Sequence, residues 1–143
     1  MFTGLFTAIR EGDTMENPTD RKYSKEHEWV KVEGDIGIAG ITDFAQHQLT
    51  DIVFIELPEK GKKVEQFKQA AVIESVKSVS DIFAPVSGKI IEVNEKLKDS
   101  PEIVNKDPFG DGWLFKIKIE NKNELEGVMS AKDYDSYIKK EKH

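Results

Sequence analysis

Val72-Ile73-Glu74-Ser75-Val76-Lys77-Ser78-Val79-Ser80-Asp81-Ile82-Phe83-Ala84-Pro85-Val86-Ser87-Gly88 sets a single lysine between two runs of β-branched and apolar residues. Such residues suit the pleated, half-buried surface of a strand. Residues 70–76 and 79–84 therefore read as two strands that meet near Lys77. Alternation along the first run places Val72, Glu74 and Val76 on one side and Ile73, Ser75 and Lys77 on the other. No Asn-Gly or Asp-Gly pair marks the turn between the runs. A modifying enzyme needs an amine held outward on a rigid tip, and a carrier needs a long tether for its cargo. By composition alone, the same residues also describe an ordinary exposed lysine at a hairpin end.

Period-two patterns continue on both sides of this stretch. Trp29-Val30-Lys31-Val32 and Ile36-Gly37-Ile38-Ala39 flank Gly34-Asp35, which reads as a hairpin. Ile52 to Leu57 is a strand stopped by Pro58, and Gly88 precedes a strand over Lys89 to Val93. Trp113, Phe115, Ile117 and Ile119 alternate with Leu114, Lys116, Lys118 and Glu120. Helical signals are short. Thr42 caps a turn or two over residues 43–49, Ser100 precedes Pro101 as a cap, and Ser130-Ala131-Lys132-Asp133 opens a segment with Tyr134, Tyr137 and Ile138 on one face. The expected fold class is mainly β, a sandwich or barrel with a few short peripheral helices, one of them at the C-terminus. Pro58 to Val64 and Pro85 to Ile91 share Pro-x-x-Gly-Lys-x-(Val/Ile) at an offset of 27 residues, and Ile55 and Ile82 keep that offset. The echo suggests two similar halves that meet between the copies, with Lys77 in the interval. Residues 1–19 read as a flexible leader or expression remnant, with Met15 as an alternative start, and residues 20–143 as the folded domain.

Composition narrows the function. The 143 residues carry 27 acidic against 21 basic side chains, a net charge of −6 that argues against sequence-independent nucleic-acid binding. The absence of cysteine excludes disulfides, Cys-ligated metal and cysteine nucleophiles. No apolar run is long enough to span a bilayer. His27, His47 and His143 have no zinc-site spacing, no Gly-x-Ser-x-Gly elbow occurs, and Asp107-Pro108-Phe109-Gly110-Asp111-Gly112 reads as a tight turn. His27, between Glu26 and Glu28, has the form of a base held by a carboxylate, set against a plain half-buried residue beside Trp29. Neither catalytic nor metal-binding residues are assigned. Glu26, Glu28, Asp43 and Glu74 read as exposed acids available to basic partners.

Lys25-Glu26-His27-Glu28-Trp29-Val30, Gly40-Ile41-Thr42-Asp43-Phe44-Ala45-Gln46, Asp51-Ile52-Val53-Phe54-Ile55-Glu56-Leu57-Pro58, Glu74-Ser75-Val76-Lys77-Ser78-Val79-Ser80-Asp81 and Asp107-Pro108-Phe109-Gly110-Asp111-Gly112-Trp113-Leu114 occur in this order. Together they resemble the H-protein family of the glycine cleavage system from about Tyr23 to Tyr137. The resemblance implies a flattened barrel-sandwich hybrid of the lipoyl/biotinyl carrier type. It implies lipoic acid in amide linkage on Lys77, with Glu74, Ser75, Val76 and Ser78 as the attachment motif. It implies a non-catalytic shuttle for the aminomethyl group of glycine. The partners implied are glycine decarboxylase with pyridoxal phosphate, a tetrahydrofolate-dependent aminomethyltransferase, a FAD-dependent dihydrolipoyl dehydrogenase and a lipoate-attaching enzyme. A monomer is expected, cytoplasmic in a bacterium or in the mitochondrial matrix of a eukaryote, with neither nucleic acid nor membrane as partner. The rival readings are a lipoyl or biotinyl carrier of another complex, where Asp-Lys-Ala or Met-Lys-Met usually surrounds the lysine, and a lipoate-relay paralogue. Two positions depart from the family pattern: Thr50 stands in Leu-Gly-Asp, and Gln66-Phe67-Lys68-Gln69 lacks a common glycine.

Overall fold

The computed structural model describes residues 15–141. Strands β1 (Lys22–Tyr23), β2 (Glu28–Glu33), β3 (Ile36–Ile41), β4 (Ile52–Glu56), β5 (Lys63–Val64), β6 (Gln69–Ser75), β7 (Val79–Phe83), β8 (Gly88–Val93) and β9 (Phe115–Ile119) form two antiparallel sheets. One sheet runs β1-β2-β3-β9-β8-β5 and the other β4-β6-β7. The sheets do not close into a single barrel, and the arrangement is the expected barrel-sandwich. Gly34 takes φ +63°, the positive value that a primed two-residue turn requires at its first central position, between Glu33 and Ile36.

The core lies between the sheets. Ile73 of the small sheet and Ile90, Phe115 and Ile117 of the large one are wholly buried, together with Ala84 and Val86 of the loop that joins β7 to β8. A second apolar cluster seats α4 (Ala131–Glu141): Tyr134 stacks on Tyr23 with ring centroids 4.8 Å apart, beside Trp29 and Ala131. Ser130 Oγ accepts the Asp133 amide at 3.1 Å, as the helix-start signal predicts. Trp29 lies over Gly40 of the neighbouring strand, where a Cβ would come within 2.6 Å of the indole; its Nε1 donates to the Ile41 and Pro108 carbonyls. Among the described residues, no helix is long and apolar enough to cross a membrane.

The echoed segments do meet. Gly61 N donates to Ile90 O at 2.7 Å, Ile90 N donates to Lys62 O at 2.8 Å, and Lys63 and Val64 pair with Lys89 and Gly88. Moving one copy forward and the other back by the 27-residue offset returns the same antiparallel register, the signature of a local two-fold rotation. Ile55 and Ile82 lie buried on the two strands that flank β6.

Several expectations need correction. The alternation assigned to Trp113 begins only at Phe115. Leu114 is wholly buried, while Trp113 packs half-buried under Lys116, because its backbone belongs to the loop that enters β9. Ser100 does not cap a helix: α3 (Ile103–Lys106) starts after Glu102, and Ser100 contributes only its carbonyl to the turn before it. The two-residue strands β1 and β5, α2 (Lys96–Asp99) and the 3-10 helix over Lys122–Gly127 carry no period long enough to be read. Of the expected leader, residues 1–14 lie outside the described residues. Met15 to Thr19 runs along α1 (Asp43–Leu49) and α4, with Met15 N donating to Asp43 and Asn17 to Asp135.

Candidate functional site

Lys77 stands exposed at the end of the β6–β7 hairpin, in a loop of Val76 and Lys77 bounded by Ser75 and Ser78. A hairpin loop this short ordinarily uses residues with positive φ. Neither Val76 nor Lys77 takes one, so no glycine is needed. The serine supplies the constraint instead. Ser75 N donates to Ser78 O at 2.8 Å, while Ser75 Oγ accepts the amides of Ser78 at 3.1 Å and Lys77 at 3.3 Å. Val76 N donates to Asp51 O at 3.0 Å, which ties the tip to the segment entering β4. Glu74, half-buried, pairs across the ladder with Val79 and Phe54. The five residues expected to form an attachment motif, Glu74 to Ser78, are thus contiguous at one sheet end. Among the described residues, no ion pair or hydrogen bond engages Lys77 Nζ.

The other candidates separate from this tip. Glu28 is 1% exposed rather than a surface acid. Its carboxylate accepts from Ser24 Oγ and from Phe83 N at 3.1 Å, joining β2 to the far end of β7. Burial pushes its pKa up from 4.5 to about 7, against the lowering effect of those two donors. Asp43 is also buried; it accepts from Gln46 Nε2 at 2.9 Å and from Met15 N at 3.0 Å, and pairs with His47 at 3.2 Å. Of the four acids read as exposed, only Glu26 is fully so. Burial was missed for Glu28 and Asp43 because a charged residue in sequence carries a strong expectation of exposure. His27 turns from Glu28 and Trp29 towards α4, with Nδ1 2.8 Å from Tyr134 Oη and its ring against Phe44. A cleft of about 1010 Å³ lies between Met15–Thr19, α1 and α4, lined by Phe44, His47 and Ile138 among others, and Lys77 takes no part in it. Among the described residues, no group of three or more His, Cys, Asp or Glu side chains is placed to hold a metal ion.

Both departures from the family pattern fall on special backbone. Thr50 adopts φ +63° and ψ −147°, and Phe67 adopts φ +65°. These are conformations that glycine takes freely and L-residues resist.

The glycine cleavage H-protein family model matches residues 21–141. A glycine cleavage system H protein of Symbiobacterium thermophilum is 56% identical over 122 residues, covering 85% of this chain and 95% of the relative. One from Carboxydothermus hydrogenoformans is 54% identical over 124 residues, covering 87% and 95%. The crystal structure of a glycine cleavage system H protein from Mycobacterium marinum superposes with a TM-score of 0.75 at 36% identity, covering 84% of this chain and 97% of that one.

Proposed function

The chain belongs to the glycine cleavage H-protein family, and on that premise we propose that Lys77 is the residue that carries its lipoyl group. The role is that of the lipoyl-carrying shuttle of the glycine cleavage system, and a carrier of another complex is not favoured. One observation supports the assignment above others: a single lysine with a free amine projects from a two-residue turn clamped from both sides. The residues present fit an amide-linked arm, since among the described residues nothing engages Nζ and the stem leaves an exposed loop.

The lipoyl group supplies, when bound, a redox-active disulfide on which the aminomethyl fragment of glycine travels. The chain supplies placement. Ser75 and the Asp51 carbonyl fix the direction in which Lys77 leaves the sheet, and the methylene stem of the lysine gives the tether its freedom. Tethering raises the effective concentration of the cargo at each docked active site. Residues 20–143 act as one non-catalytic, monomeric carrier domain in this reading. Its partners are glycine decarboxylase with pyridoxal phosphate, an aminomethyltransferase with tetrahydrofolate, dihydrolipoyl dehydrogenase with FAD, and a lipoate-attaching enzyme. The relatives named above are bacterial, and the bacterial cytoplasm is the compartment we assign.

Treatment with the lipoate-attaching enzyme, then reconstitution with glycine decarboxylase, the aminomethyltransferase and dihydrolipoyl dehydrogenase, tests the reading. Lys77→Arg keeps the fold, because the exposed side chain makes no hydrogen bond or ion pair among the described residues, and abolishes glycine-dependent release of carbon dioxide. A folded Lys77→Arg protein that sustains the reaction would refute it.

A further inference from the structure

The exposed large hydrophobic residues among those described are Met15, Val53, Phe54, Phe67, Val76 and Val79, and four of these six stand at the Lys77 end of the small sheet. Their exposure is built rather than incidental. A β-bulge between Ile52 and Phe54 breaks the alternation of β4, so that Val53 and Phe54, consecutive in sequence, both meet solvent at 52% and 50% exposure. The register then places Phe54 and Val79 on either side of Glu74, one row below the tip, with Val76 beside Lys77. Charge is as one-sided as apolarity: β4, β6 and β7 contribute Glu56, Glu74 and Asp81 and no lysine or arginine. An apolar patch with an acidic border marks an interaction surface, not a solvated sheet.

Reach selects the occupant. A lysine side chain extends about 6 Å from its Cα by bond lengths. An enzyme that acylates the bare amine must therefore bring its catalytic centre within that distance of the tip, and its surface must rest on whatever surrounds Lys77. We propose that Val53, Phe54, Val76 and Val79 form the docking face for the enzyme that acylates Lys77, and that this partner presents an apolar cleft with a basic rim. The proposal rests on Lys77 being the attachment residue. In the step it serves, the neutral Lys77 amine attacks the carbonyl carbon of an activated lipoyl ester or mixed anhydride. The C–N bond forms, the bond from the carbonyl to the leaving group breaks with its electron pair going to that group, and the nitrogen gives up one proton.

The test compares Phe54→Ser and Val79→Ser with Phe67→Ser, an equally exposed aromatic (49%) placed before β6 and away from the tip. Each apo protein, with its fold checked by circular dichroism, is titrated into a lipoate–protein ligase supplied with lipoate and ATP. Attachment is followed by intact mass, and binding without ATP by calorimetry. The first two variants are expected to raise KM and weaken binding tenfold or more with kcat little changed, whereas Phe67→Ser behaves as wild type. Wild-type KM and binding for both Phe54→Ser and Val79→Ser would overturn the docking face alone. A wild-type protein acylated anywhere but Lys77 would overturn the attachment reading as well.

Discussion

The six-stranded sheet carries Lys22, Lys31, Lys63, Lys89, Lys116 and Lys118, and several of these charges are met locally: Lys63 by Glu120 at 2.9 Å, Lys116 by Glu92 at 3.3 Å, and Lys31 by Asp20 and Glu33. The three-stranded sheet carries only acids, joins in no ion pair among the described residues, and leaves Val53, Phe54 and Val79 bare beside its lysine tip. Exposed pairs of this kind contribute little stability, of order 0–1 kcal/mol each, but they leave a surface that attracts nothing in particular. The small sheet lacks that finish. One sheet is finished for water and the other for partners, and both rest on the same core.

The largest effect separates the two faces of the small sheet. Ile73 is wholly buried beneath it, and Ile73→Ala is expected to cost about 3 kcal/mol in chemical denaturation, from lost burial and the cavity left behind. Val79→Ala, on the upper face, should stay within about 0.5 kcal/mol of wild type. Comparable losses at the two positions would erase the distinction between a packed side and a side kept free for docking.

A second prediction concerns the joint between the sheets. Glu28 leaves the large sheet and accepts the amide of Phe83 at the end of the small one, and its folded pKa of about 7 lies above the ordinary 4.5. A raised carboxyl contributes stability that is fully present below the unfolded pKa and is lost as pH rises through the folded value. Unfolding free energy should therefore fall by up to about 3 kcal/mol between about pH 4.5 and 7.5 on account of this group. Glu28→Gln, which can still accept from Phe83, should remove that slope. An unchanged pH profile in the variant would mean that Glu28 is not the responsible group.

A smaller effect is expected where the chain enters the small sheet. Thr50 holds a conformation natural to glycine immediately before Asp51, whose carbonyl anchors the Lys77 turn. Thr50→Gly should stabilise the protein by about 1 kcal/mol, the relief of strain exceeding the entropy that glycine adds to the unfolded chain. A loss of stability would show that the threonine side chain contributes more than its backbone costs.

Much of this architecture was legible because Phe115–Ile119 keeps period two and strands end at recognisable stops such as Pro58 and Gly88. Lys77 was legible too, as one amine between two such runs. What holds it was not. The Asp51 carbonyl reaches Val76 through tertiary register, and Ser75 looks in sequence like any turn serine. The bulge that bares Val53 is equally silent, since Ile52-Val53-Phe54-Ile55 reads as a plain buried strand. Glu28 acts through Ser24 and a backbone amide 55 residues away, a separation no local pattern records. Thr50 and Phe67 are different: their departure from an expected glycine was visible, and the structure locates the cost in positive φ.

Site-resolved mass spectrometry of the full chain, acylated by a ligase with lipoate and ATP, bears most directly on the central claim. The account predicts one lipoyl group per chain, on the peptide containing Lys77, and none on Lys77→Arg. A lipoyl group on any other lysine, or an unmodified Lys77 in a protein that still sustains glycine cleavage, would contradict it.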